Sequence, residues 1–200
     1  NSLDFIGEIA DDLRSNGHNI EYLDIGGGLG IRYKDEDLGD PQILITKVND
    51  RLKDKDYKII LEPGRSIVGT SGILVTQIEY IKDAGDKKFA IIDAGMNDLI
   101  RPSLYEAWHG VKEVEQKDIE VATYDLAGPV CETGDVLAKD RELRILPNDY
   151  LAIMDVGAYG SVMSSNYNSR LKPIELLVSE DKVRVIKRRE NFEDLIALET

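Results

Sequence analysis

The sequence has little cysteine, little positive charge and no long apolar run. Its single cysteine, Cys131, excludes an internal disulfide framework. Only 25 Lys and Arg residues oppose 38 Asp and Glu, so the formal net charge is −13, which repels polyanions and argues against a nucleic-acid partner. Because no apolar run reaches the length of a membrane span and the first residues lack a signal-peptide pattern, we expect a cytoplasmic protein without a membrane partner.

Histidine is also scarce. His18 and His109 have no metal-ligand spacing with another His or Cys, so we expect no metal site and no catalytic role for either. Residue 1 is Asn rather than Met, which leads us to expect that the chain begins partway through a longer protein. The remaining composition is that of a globular protein of one or two domains.

The first third of the chain alternates helix-like and strand-like segments. Apolar residues at helical spacing predict a helix over 3–13, and the apolar run 20–25 predicts a strand. Asp40-Pro41 is typical of a helix start, and a second strand is predicted over 58–61. This twofold helix–strand rhythm implies a parallel sheet.

The pattern changes after about residue 66. The later segments are short β-rich runs separated by turn clusters, and they favour an antiparallel sandwich or barrel. The predicted strands are 73–81, 88–92, 119–124, 142–146, 150–154, 174–177 and 183–186, followed by a short helix over 193–198. We therefore predict two domains, 1–70 and 71–200.

Two loops that follow the predicted parallel strands carry the first candidate site residues. Gly26-Gly27-Gly28 would let backbone N–H groups approach an anion, although a plain tight turn is the alternative. The spacing matches neither a Rossmann fingerprint nor a P-loop. In Glu62-Pro63-Gly64-Arg65, Glu62 suits a protonated ring nitrogen and Arg65 a substrate carboxylate, with a structural salt bridge as the alternative.

Five stretches resemble one enzyme family, the fold-type III pyridoxal-phosphate (PLP) dependent decarboxylases that act on ornithine, arginine or diaminopimelate. They are LDIGGGLGI from Leu23, LEPGRSIVG from Leu61, DAGMNDLIRPSLYEAWH from Asp93, GPVCETGDVL from Gly128 and VGAYGSVMSSNYNSR from Val156. The run from Ile100 to Tyr105 and the pair Cys131-Glu132 are similar to the diaminopimelate branch. The resemblance implies that residues 1–70 are the last two βα units of a PLP-binding (β/α)8 barrel and that residues 71–200 are the C-terminal β-domain.

The resemblance also implies roles for the site residues. Gly26, Gly27 and Gly28 would hold the PLP phosphate, and Glu62, within the Glu62-Pro63-Gly64-Arg65 loop, would face the pyridine nitrogen. Arg65, Arg101 and Tyr105 would bind the unreactive end of diaminopimelate, and Glu132 its distal ammonium. Tyr159 would contact both cofactor and substrate, while Cys131 would protonate the carbon that loses CO₂. In this family Cys131 and Glu132 would complete the partner's site in a homodimer.

Each role has a structural alternative. Cys131 could be an inert loop thiol, Tyr105 and Tyr159 ordinary half-buried aromatics, and Arg101 a turn cap. The family's Schiff-base lysine would lie upstream of this chain, so we expect the chain alone to be inactive. The expected activity of the whole enzyme is decarboxylation of meso-diaminopimelate to L-lysine in lysine biosynthesis. Alternatives are a related decarboxylase of the ornithine, arginine or carboxynorspermidine type, or a non-catalytic dimerising β-domain.

Overall fold

The computed structural model describes residues 2–200, and the chain divides into two compact units, Asn1–Gly69 and Thr70–Thr200. We call them the N-terminal unit and the sheet unit. The division lies next to the one predicted between residues 70 and 71. The N-terminal unit contains α1 (Ser2–Ser15), β1 (Tyr22–Asp24), α2 (Pro41–Leu52), β2 (Lys58–Ile60) and α3 (Arg65–Val68).

The N-terminal unit is built around a parallel strand pair. β1 and β2 pair in parallel, with Leu23 opposite Ile59, as the helix–strand rhythm predicts. Helix α2 begins as predicted, because Asp40 Oδ1 accepts a hydrogen bond from Gln42 N at 2.8 Å and Pro41 takes the first helical position. The apolar sides of α1, α2 and β1 form a small core of Ala10, Leu23, Val48 and Leu52.

The sheet unit contains eight strands and two short helices. They are β3 (Leu74–Asp83), β4 (Lys88–Ile92), α4 (Arg101–Tyr105), β5 (Val111–Glu113), β6 (Ala122–Ala127), β7 (Val136–Leu143), β8 (Tyr150–Ile153), β9 (Glu175–Ser179), β10 (Lys182–Lys187) and α5 (Phe192–Leu195). Short 3₁₀ turns lie at Gly69–Ser71, Ser161–Met163 and Tyr167–Ser169.

Six of these strands form one strongly curved sheet in the order β5-β8-β3-β4-β6-β7, and β9 and β10 form a separate antiparallel hairpin. The two edges of the six-stranded sheet approach each other, since Arg144 N, just after β7, donates to Glu113 Oε1 in β5 at 2.8 Å. The enclosed core is apolar and almost fully buried. Its largest fully buried side chains are Ile78, Ile92, Leu99, Leu126, Leu137, Leu151 and Ile153.

The structure departs from the sequence prediction in several elements of this unit. The sheet is not wholly antiparallel, because β4 and β6 pair in parallel. A parallel pair needs a long connection, and here the chain between these strands includes α4 and β5, two short elements that the sequence did not predict. Strand β6 is Ala122–Ala127 rather than 119–124, and β7 is Val136–Leu143 rather than 142–146. No helix among residues 2–200 is both long and apolar enough to cross a membrane.

Candidate active site

The glycine loop of the N-terminal unit, Gly26–Gly28, follows β1, and its shape depends on backbone angles that favour glycine. Gly26 and Gly28 have φ angles of 72° and 89°, in the left-handed region that favours glycine. Gly26 N donates to Asp24 Oδ1 at 2.7 Å, which closes the turn. Among the described residues, the N–H groups of Gly27 and Gly28 donate no hydrogen bond, and both residues are exposed. Such a turn suits an anion that accepts backbone N–H bonds.

The Glu62 loop lies directly beside this glycine loop, as expected for loops that follow adjacent parallel strands. Glu62 N donates to Gly26 O at 2.9 Å. A Cβ atom on Gly27 would lie 2.4 Å from Glu62 O, so the approach of the two loops requires glycine there. Arg65 begins α3 after Gly64, and its guanidinium lies 6.0 Å from the centre of the Tyr33 ring. The two loops therefore lie side by side, with exposed backbone N–H groups of the kind that bind an anion.

In the sheet unit, Arg101 and Tyr105 are the first and last residues of α4. Arg101 is buried, whereas Tyr105 is exposed. The residue after the helix, Glu106, has a φ of 53° that turns the chain back, and Ala107 N donates to Arg101 O. The guanidinium Nη1 of Arg101 lies 2.9 Å from His109 Nε2. Arg101 is thus part of a buried polar contact rather than a surface cap.

Cys131 and Glu132 lie in the exposed loop between β6 and β7. Tyr167 Oη donates to Glu132 Oε2 at 3.4 Å. Ser103 Oγ, in α4, donates to Gly134 O at 2.6 Å, which joins the loop to the helix that carries Arg101. The structure therefore brings these two predicted segments together within one unit.

Tyr159 lies in a tight turn after β8. Its φ of 62° is uncommon for a residue with a side chain. A Cβ atom on the following Gly160 would lie 2.4 Å from Val156 O, so the turn requires glycine at that position. Tyr159 itself is exposed. Strain of this kind is often kept where a side chain has a function.

Sequence reasoning missed three polar residues that hold these segments, namely His109, Asp135 and Arg170. Arg170 donates from Nε to Asn97 Oδ1 at 3.0 Å and from Nη2 to Asp93 O at 2.6 Å. Asp135 accepts backbone N–H bonds from two loops. All three lie inside the stretches that resemble the family, but the contacts they make join segments that are distant in the sequence, so the sequence did not indicate those contacts. Among residues 2–200 there is no cluster of three or more His, Cys, Asp or Glu side chains that could hold a metal ion.

Comparison with known proteins identifies the class to which the chain belongs. The family described as pyridoxal-dependent decarboxylase, C-terminal sheet domain, matches residues 35–157. The chain belongs to the pyridoxal-dependent decarboxylase family.

Its relatives within that family include several diaminopimelate decarboxylases. It is 50% identical to the diaminopimelate decarboxylase of Aquifex aeolicus over 188 residues, which are 93% of this chain and 45% of that protein. It is 48% identical to that of Pseudomonas aeruginosa, over 96% of this chain and 46% of that protein. The crystal structure of the Helicobacter pylori diaminopimelate decarboxylase complexed with L-lysine is 44% identical, has a TM-score of 0.91 and is matched over 98% of this chain and 49% of that one. The chain thus spans about half the length of these relatives.

Proposed function

We propose that the protein to which this chain belongs is a PLP-dependent decarboxylase that converts meso-diaminopimelate to L-lysine and CO₂ in lysine biosynthesis, in the cytoplasm. The observation that carries the proposal is the similarity of almost the whole chain to diaminopimelate decarboxylases, one of which is solved with L-lysine, the expected product. In this proposal the N-terminal unit is the end of a PLP-binding (β/α)8 barrel. The lysine that anchors PLP would come from the part of the protein outside this chain.

The residues of the N-terminal unit fit the cofactor. The exposed N–H groups of Gly27 and Gly28 suit the phosphate, and Glu62, anchored beside them, suits a protonated pyridine nitrogen. When bound, PLP supplies an electron sink for the electron pair released as the bond to the carboxyl carbon breaks. Glu62 would keep the ring nitrogen charged, which strengthens that sink.

The charged residues suit the two ends of the substrate. Arg101 and Arg65 offer planar guanidinium donors for the carboxylate that does not react, and Tyr105, at the exposed end of α4, offers a phenol hydroxyl. Glu132 offers a carboxylate for the distal ammonium. Ornithine and arginine lack the second carboxylate of diaminopimelate, so a buried cation such as Arg101 favours diaminopimelate as the substrate.

Loss of CO₂ leaves a carbon that must gain one proton to give L-lysine. Cys131 is exposed on its loop, and a thiol gives up a proton more readily than a hydroxyl group. We propose Cys131 as the donor, acting with Glu132 in the site of the partner subunit of a homodimer. Tyr159 would contact cofactor and substrate from the sheet unit.

The activity is tested with the purified whole protein and added PLP. We expect CO₂ release and L-lysine formation from meso-diaminopimelate, and no comparable turnover of L-ornithine or L-arginine. Equal or faster turnover of either alternative substrate would contradict the proposal.

The role of Arg101 is tested by Arg101→Ala in the whole enzyme. Removing one partner of a desolvated guanidinium–carboxylate contact costs roughly 2–5 kcal/mol, so kcat/KM for meso-diaminopimelate should fall about 30- to several-thousand-fold. PLP affinity, measured by absorbance titration, should stay within about threefold of wild type. An equal loss of PLP affinity would instead place Arg101 at the cofactor.

A further inference from the structure

His109 is a buried imidazole in contact with Arg101. It has no exposed surface and lies in the segment between α4 and β5. Its Nε2 is 2.9 Å from Arg101 Nη1, and its Nδ1 is 2.8 Å from Met154 O, just after β8. Met154 N also donates to Gly110 O at 2.8 Å. The imidazole is therefore anchored to the sheet on one side and to the guanidinium on the other.

The partners of the two ring nitrogens determine which one carries the proton. Met154 O can only accept, so Nδ1 carries the hydrogen and donates it. A guanidinium can only donate, so Nε2 presents its lone pair and accepts from Arg101 Nη1. The contact exists only while His109 is neutral, because a protonated ring would turn Nε2 into a donor facing another donor.

The charges around His109 favour that neutral form. Burial lowers the pKa of His109 and the positive charge of Arg101 lowers it further, while the Met154 carbonyl raises it. Arg141, in β7, also lowers the pKa, and its Nη2 donates to His109 O at 3.1 Å. Asp155 opposes these cations and raises the pKa. Burial, the largest of these effects, and the two guanidinium groups together lower the pKa of His109 and so favour the uncharged ring.

We propose that His109 is a positioning residue that holds the Arg101 guanidinium in the orientation in which it binds the distal carboxylate of diaminopimelate. The proposal rests on the function assigned above to Arg101. An arginine side chain has several rotatable bonds, and bidentate binding of a carboxylate requires one orientation of its planar group. A fixed acceptor at Nη1 selects that orientation before the substrate arrives, which lowers the ordering cost of binding.

Two substitutions separate the two hydrogen bonds of the ring. His109→Asn keeps a side-chain amide near the position of Nδ1, where it can donate to Met154 O, but it is too short to reach Arg101. His109→Gln carries an amide oxygen to about the position of Nε2, where it can accept from Arg101. In the whole enzyme we expect His109→Asn to raise KM for meso-diaminopimelate about 10- to 150-fold, the effect of losing one hydrogen bond to a charged group. His109→Gln should restore KM to within about threefold of wild type, and neither variant should change PLP affinity.

The pH dependence supplies a readout that does not depend on the stability of the Asn variant. In the wild type, KM should rise as the pH falls through the pKa of His109, which burial lowers below the ordinary value of 6.5, because protonation removes the acceptor and adds a repelling charge. Glutamine does not titrate, so this acid-side rise should be absent from His109→Gln. An identical acid-side rise in wild type and His109→Gln would overturn the proposal.

Arg101→Ala distinguishes failure of this proposal from failure of the proposed function. A raised KM in Arg101→Ala with wild-type KM in His109→Asn overturns the positioning role and leaves the function of Arg101 standing. An unchanged kcat/KM in Arg101→Ala overturns both, because His109 would then have no substrate contact to position. If His109→Asn lowers kcat, raises KM and weakens PLP binding together, and His109→Gln does not restore them, the histidine is only structural.

Discussion

At the scale of single residues, Asp135 is the buried carboxylate that joins two loops of the sheet unit. Its Oδ1 accepts from Met96 N at 2.6 Å and its Oδ2 from Val130 N at 2.7 Å. A Cβ atom on Gly128 would lie 2.4 Å from Asp135 Oδ2, so the close approach requires glycine. Burial raises the pKa of Asp135, while the two N–H bonds oppose that shift. Asp135 thus supports the loop that carries Cys131.

Asp135→Asn is predicted to destabilise the protein although it keeps the shape of the side chain. One of the two backbone N–H groups would then face an amide NH₂ group, and leaving a buried donor unpaired costs about 1–3 kcal/mol. Urea unfolding with spectroscopic detection measures the change in the free energy of unfolding. The matched control, Asp118→Asn at an exposed position, should have no measurable effect. Equal midpoints for the two variants would show that Asp135 does not hold the loops together.

The sequence allowed the prediction of residues that belong to a recognisable motif. Arg101, Tyr105, Cys131 and Glu132 were found because they lie in stretches that resemble a known family, and their catalytic roles remain predictions. His109 ends one of the same stretches but was given no role, because it has no metal-ligand spacing with another His or Cys. Its partners lie 8 and 45 residues away along the chain. Such partners meet only through the reversal at Glu106 and the strand pairing of β8, which local patterns do not specify.

At the scale of elements, α5 is a single turn of helix whose start is reinforced by charge. Asp194 N donates to Asn191 Oδ1 at 3.0 Å and Asn191 N donates to Asp194 Oδ2 at 2.8 Å, which completes a capping box. Arg188 binds both carboxylate oxygens of Asp194, at 2.5 and 2.6 Å. The hydrogen bond from Arg188 and that from the Asn191 backbone lower the pKa of Asp194 to about 2.

We predict that Asp194 stays mostly ionised at about pH 3.5, where an aspartate of ordinary pKa 3.8 is mostly protonated. Because this pKa is lower in the folded chain than in the unfolded chain, the carboxylate stabilises α5 above pH 3.8, and the contribution is lost as the pH falls towards about 2. Carboxyl-carbon NMR of labelled aspartate measures the ionisation. Arg188→Ala should move the titration back towards 3.8, and an ordinary titration in the wild type would contradict the prediction.

Most strands were predicted where they lie, and the exceptions have a local cause. Strand β7 contains the charged run Lys139–Glu142, and its burial does not alternate, since Leu137 and Ala138 are both buried while Lys139 and Asp140 are both exposed. Asp140 has a φ of 54°, and its N–H donates to Asp125 Oδ1, in β6, at 2.8 Å. The irregular strand is thus held by a cross-strand contact from a buried carboxylate, and no propensity within β7 itself indicates this.

At the scale of the whole molecule, the change from helix–strand rhythm to short β-rich runs led to the prediction of two domains, and the chain divides into two compact units. The order of strands in the sheet could not be predicted from the sequence, because β3 pairs with β8, which lies far along the chain from it. That residues 1–70 complete a (β/α)8 barrel, and that two subunits share their sites, remain proposals.

The shared-site proposal predicts that two inactive variants of the whole enzyme restore activity when mixed. One variant is Cys131→Ala, and the other is inactivated at the lysine that anchors PLP. If Cys131 serves the partner's site, each mixed dimer holds one site with both groups intact. Random exchange at equal amounts should then approach about one quarter of wild-type activity. Absence of recovery, where native mass spectrometry shows that subunits exchange, would mean that Cys131 serves its own subunit or is not the donor.

The sheet order also has a consequence for how the protein is made. β8 pairs with both β3 and β5, yet it is synthesised after both of them. The ribosome adds roughly 5–20 residues per second, so β8 is made on the order of ten seconds or less after β3. During that time one edge of β3 has no partner strand. An unpaired apolar strand edge can join to other chains. The edge of β3 over residues 74–77, which pairs with β8 in the folded chain, is therefore a segment that a chaperone would need to protect until β8 has been made.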